Sequence, residues 1–87
     1  MTTEYATKEQ ALQMGAFYAG YTTDEDRHQV IAGATIDSLV LGWPHNKVLE
    51  SYEIVNRDGV KVHLGVSEFR DGYDLWLISP NGAARRT

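Results

Sequence analysis

Eighty-seven residues with 43% apolar and 23% charged side chains describe one ordinary globular domain; two domains would each be too small to bury a core. There is no apolar run long enough to span a membrane, no basic-then-apolar secretory leader, and no cysteine, so disulfides, CxxC chemistry and cysteine-ligated zinc are excluded. These features together fit a cytoplasmic protein.

The net charge of −4 is unevenly placed. Up to Pro44, six acids (Glu4, Glu9, Asp24, Glu25, Asp26, Asp37) face only Lys8 and Arg27, whereas six acids and six bases balance from His45 onward. A chain with this balance and no basic stripe is poorly suited to neutralising phosphates, so direct nucleic-acid binding is not expected.

The first element is read in "TKEQALQMGAFYAGY". Thr7 followed by Gln10 resembles a capping box. Met14, Phe17, Tyr18 and Tyr21 recur at helical spacing and line one face, while Leu12, Gly15, Ala16 and Ala19 line the other. The aromatic stripe is expected to be core, with a partner-binding patch as the alternative, since tyrosine suits a half-wet surface. Gly20 is expected to end the helix.

A second helix is expected to start at Thr22 or Thr23, where Asp24, Glu25 and Asp26 meet the positive end of the helix dipole. From Val30 to Leu41 the apolar residues point in almost every direction. A buried helix continuing to Gly42 and Pro44 is preferred there, although "TIDSLVL" also has strand character. The helical part thus runs over about residues 7–42.

Three runs, "VLESYEIV", "VKVHLGVSEF" and "YDLWLISP", have strand composition and alternation. They predict a three-stranded antiparallel meander over about residues 48–80, giving an α+β domain of two helices packed on that sheet. The tripeptide Arg-Asp-Gly ends the first hairpin (Arg57–Gly59) and recurs at Arg70–Gly72. A three-residue loop with glycine in the left-handed position pairs Ile54 with Val62, Tyr52 with Leu64 and Glu53 with His63, whereas a two-residue loop mixes polarity. The same loop at the second copy pairs Phe69 with Tyr73, Val66 with Trp76 and Leu64 with Ile78. Residues 81–87 then read as a short tail, with Arg85 and Arg86 solvated.

That register leaves an outer face with Glu53, Lys61, His63 and Ser67 at one end and Phe69, Tyr73, Leu75 and Leu77 at the other. The half-apolar end, with Arg70 at its rim, is the expected contact patch for a partner protein. Two free sheet edges, or that outer face, also offer a route to a homodimer.

Catalytic signals are weak. His28, His45 and His63 form no metal-binding motif; Asp24 and His28 at i, i+4 are better explained by the helix start. Ser67 and His63, four residues apart on one strand, are about 13 Å apart and form no relay. Glu53–His63 is read as a cross-strand pair. No metal, cofactor or phosphate loop is implied. The expectation is a small non-enzymatic interaction module, an inhibitor, adaptor or regulator of the kind common in prokaryotes and their phages. One alternative is a nucleic-acid mimic whose Asp24, Glu25, Asp26 and Asp37 meet a basic surface. Another is a small-molecule domain or minor enzyme with a pocket between helices and sheet near Trp43, Trp76 and His63.

Overall fold

The computed structural model describes residues 4–87. Helix α1 (Lys8–Tyr18) starts where Thr7 accepts a hydrogen bond from the Gln10 amide at 3.1 Å. Helix α2 (Asp24–Ala32) starts at Thr23, which caps the Asp26 amide in the same way. Both caps satisfy amides that have no partner within the helix. Gly20 follows the end of α1 with φ +105, as expected of a helix terminator.

After Gly33 the chain becomes extended. Strands β1 (Thr35–Leu41), β2 (Lys47–Val55), β3 (Lys61–Phe69), β4 (Gly72–Ile78) and β5 (Ala84–Arg86) form one antiparallel sheet in sequence order. The domain is therefore α+β with two N-terminal helices on a five-stranded meander, not a three-stranded one. Two expectations change. Residues 35–41 are a strand: Gly33 stops α2, and "TIDSLVL" alternates once it pairs along its whole length with β2. Residues 84–86 are not a free tail but pair with β4, Trp76 facing Arg86 and Ile78 facing Ala84.

The two Arg-Asp-Gly turns also part company. At the first, Ile54 pairs with Val62, Tyr52 with Leu64 and Glu53 with His63, as the polarity pattern requires. Gly59 has φ +81, and Asn56 Oδ1 accepts from the amides of Asp58 and Val60, both at 2.9 Å. At the second copy the loop is two residues long. Phe69 pairs with Gly72, Val66 with Leu75 and Leu64 with Leu77. Arg70, not a glycine, holds the positive φ of 55°. Gly72 is drawn into β4 because the Tyr5 backbone docks beside it, exchanging hydrogen bonds of 2.7 and 2.8 Å with Tyr73. A one-residue shift exchanges the faces of every residue in β4.

The helices lie on one face of the sheet over β2, β3 and β4. There Ala11 and Leu12 of α1 meet Tyr52, Ile54, Leu64, Val66 and Leu75 in the main core, flanked by Val30 and Ile31 of α2 and by Tyr73 and Leu77. On the opposite face Leu41, Leu49, Trp76 and Ile78 bury one another, with Leu39 and Ala84 at the margin. Among the described residues no helix covers that face. Side chains cover it instead: the His45 ring stands 4.7 Å from that of Trp76, and Lys47 and Arg86 lie over the same ring, each at 5.9 Å.

Candidate functional site

Helix α1 carries its amphipathic pattern the opposite way round from expectation. Its buried face is Ala11, Leu12, Gly15 and Ala16. Small residues let the helix sit close on the sheet: a methyl group on Gly15 would lie 3.0 Å from both δ-carbons of Leu64. The large side chains face outward, with Met14 37%, Phe17 49% and Tyr18 53% exposed. Close backbone approach decides the orientation, because aromatic side chains on the inner face would hold the helix off the sheet.

The outward face borders an open groove of about 780 Å³ lined by Tyr5, Gln10, Gln13, Met14, Phe17 and Arg27, among others. Its polar rim is held in place. Arg27 donates from Nε to Gln13 at 3.0 Å and from Nη1 to the Thr22 carbonyl at 2.8 Å, and also pairs with Asp24. Gln13 Nε2 lies 2.8 Å from His28 Nδ1. The groove thus sets Tyr5, Met14 and Phe17 among Thr7, Glu9, Gln10, Gln13 and Arg27.

A second uncovered surface lies where the helices stop short. On the helix side of the sheet, Ile36 and Val40 of β1 and Val48 of β2 are 57%, 70% and 63% exposed. Trp43, in the turn between those strands, is 87% exposed. Ile36, Val40 and Val48 share one face because Ile36 pairs with Tyr52 and Val40 with Val48.

The polar groups of the opposite face explain themselves structurally. The Asp74 side chain is fully buried and accepts from Lys47 Nζ at 2.6 Å, from Ser67 Oγ at 2.6 Å and from the Ser67 amide at 3.0 Å; Arg86 Nε stands 3.7 Å away. Burial pushes this carboxyl up, but the hydrogen bonds from Lys47 and Ser67 outweigh it and hold the group below the usual carboxylate range. Phe69 lies under the same cations, 3.9 Å from the Arg86 guanidinium carbon and 5.6 Å from Lys47 Nζ. Ser67 is thus committed to Asp74. His63 instead has its Nδ1 3.1 Å from Ser51 Oγ and its Nε2 3.9 Å from Glu53, which also faces Lys61 at 3.6 Å. That trio names a serine, a histidine and an acid. Ser51 is buried, however, and the His63–Glu53 separation is too long for the oriented hydrogen bond of a relay.

The residues expected to form one contact patch are divided between the two faces. Leu75 is fully buried under the helices, and Tyr73 and Leu77 pack against the same core. Phe69 lies half-buried on the other side, and Arg70 is exposed in the turn, 5.0 Å from the Phe69 ring. The register shift at Gly72 is the cause. Asp24, Glu25 and Asp26 occupy the first turn of α2, where Asp24 meets Arg27 and Asp26 meets Arg57 at 3.9 Å; Asp37 stands apart on β1 and accepts from the Ser38 amide. Trp43, Trp76 and His63 do not converge between helices and sheet: Trp76 is buried on the far face against the His45 ring, with Trp43 in an outer turn. Among the described residues no group of three or more His, Asp or Glu side chains is placed to hold a metal ion. No described helix is long and apolar enough to cross a membrane. Sequence reasoning missed Ile36, Val40, Trp43 and Val48 as surface residues; the alternation of Ile36, Ser38 and Val40 was the available signal.

No protein-family model matches the chain, and neither a curated protein nor a solved structure is similar enough to be matched.

Proposed function

We propose that this chain is a small, non-enzymatic protein-interaction module that lays the outer face of α1 against a partner protein. One observation carries the reading: α1 buries its small residues and presents Met14, Phe17 and Tyr18 to solvent. Half-exposed aromatics and methionine beside a groove are the composition of a contact centre, and Gln10, Gln13 and Arg27 supply its polar margin. The partner chemistry that fits is an apolar side chain seated in the groove beside Met14 and Phe17, with a polar group meeting Gln10 at the margin. An inhibitor, adaptor or regulator works in this way, by occupying a surface. The reading moves the contact away from Phe69, Arg70, Tyr73, Leu75 and Leu77, since Leu75 has no accessible surface to offer. It is also preferred over nucleic-acid mimicry, because Asp24 and Asp26 already face arginines and Asp37 lies apart from them.

The test is a comparison of wild type with a Met14→Ala, Phe17→Ala double variant in affinity purification from the native cell, with both proteins shown to be equally folded by circular dichroism. Proteins retained by wild type and lost by the variant are expected. An equally folded variant that keeps the whole wild-type set at wild-type yield defeats the proposal.

A further inference from the structure

The two edges of the sheet are built differently. β5, at one edge, is three residues long and carries Arg85 and Arg86. Shortness and positive charge are the usual protection of an edge against pairing with another chain. β1, at the other edge, is seven residues long, pairs regularly with β2 throughout, and holds one charge, Asp37, with no Lys, Arg, Pro or Gly. Its outer side carries none of that protection. The neighbouring face is also bare and apolar, through Ile36, Val40 and Val48.

We infer that β1 pairs antiparallel with β1 of a second copy of this chain, with the two-fold axis passing between the two Ser38 residues. Self-complementarity chooses the register. In an antiparallel pair, residues directly opposite point to the same side of the sheet, so the symmetric registers are those that pair even with even positions. Centring on Ser38 sets Ile36 opposite the partner's Val40, twice, with the partner's Val48 next in the row. Each side of the axis then carries a continuous apolar row where each chain alone leaves one open. Asp37 falls opposite the partner's Leu39, so the two aspartates are not placed against each other.

The contact is backbone pairing along the seven residues of β1, where Thr35, Ile36, Asp37, Ser38 and Val40 are all exposed in the single chain. This inference goes beyond the α1 reading and does not depend on it. It leaves the α1 groove free on both copies, so the assembly would present that contact twice.

Light scattering on a concentration series of the whole chain tests it, with Ile36→Glu, Val40→Lys and the double variant carrying both. Both positions are more than half exposed, so the variants are expected to fold, and circular dichroism confirms it. Wild type is expected at twice the chain mass, and each single variant at least tenfold weaker in association. In the double variant the carboxylate introduced at position 36 would face the ammonium introduced at position 40 of the second copy, twice, so association recovers above either single variant. On one strand those two positions are about 13 Å apart, too far to pair within a chain. A wild type that stays monomeric at millimolar concentration overturns the inference, as does a folded double variant that associates no better than the stronger of the two singles. Neither result touches the α1 reading, and loss of partners on changing Met14 and Phe17 leaves the dimer unaffected.

Discussion

The Tyr5 carbonyl oxygen occupies the space that a side chain on Gly72 would need, so that a Cβ built there would collide with it. Gly59, the corresponding glycine of the first hairpin, has φ +81 and nothing within 4 Å of the position of a Cβ. One glycine is required for space and the other for backbone conformation. Gly59→Ala is expected to cost about 1 kcal/mol, the strain of a left-handed alanine. Gly72→Ala expels the Tyr5 segment, losing its two backbone hydrogen bonds and the packing of its ring, for about 2 kcal/mol. Hydrogen exchange separates the two mechanisms. The Tyr73 amide, which donates to Tyr5, should lose protection in Gly72→Ala and keep it in Gly59→Ala. Retained protection in both would show that Gly72 is not holding the chain open for Tyr5.

That difference also marks how far the fold could be read from the residues. The first hairpin was legible because all its information is local: Asn56, Gly59 and the alternation on either side select one loop. The second has the same tripeptide, but its register is set by Tyr5, far back at the start of the chain, and by the burial of Asp74 against Lys47. Neither is visible in a window of sequence. The strand at residues 35–41 hid for a similar reason. Val30 and Ile31 belong to the helix side of the core and Leu41 to the other face, so one apolar run serves two elements and shows no single period. For the site, the aromatic stripe of α1 was visible, but its direction was not. That depends on how closely Gly15 lets the helix approach Leu64.

Asp74 gives the domain a specific response to acid. Its carboxyl is held below the ordinary range when folded, so it contributes stability that is fully present above its unfolded value of about 3.9 and is lost as pH falls toward and through the folded value. Asp74→Asn removes the charge while keeping the shape, and leaves Lys47 and Arg86 facing a neutral group. Denaturant titrations at pH 7 should show the variant about 3 kcal/mol less stable than wild type. The gap should shrink at pH 3 and close further below it, because protonated wild type then resembles the variant. A gap of constant size across that range would mean that Asp74 is not charged in the folded protein.

The inverted helix makes a prediction in which stability and contact separate. Leu12 is 5% exposed and lies in the main core, whereas Phe17, further along the same helix, stands on the outer face. Leu12→Ala removes buried methyl groups and leaves a cavity between α1 and Leu64, so it is expected to cost about 2–4 kcal/mol in chemical denaturation. Phe17→Ala should cost less than about 1 kcal/mol despite deleting the larger side chain, because half of that ring is already in water. If the aromatic stripe were core, the order would reverse, and Phe17→Ala would be the more damaging of the two. The same pair bears on the proposed contact: Leu12→Ala is expected to lower the yield of folded protein, while Phe17→Ala is expected to leave the fold intact and, under the α1 proposal, to weaken partner binding.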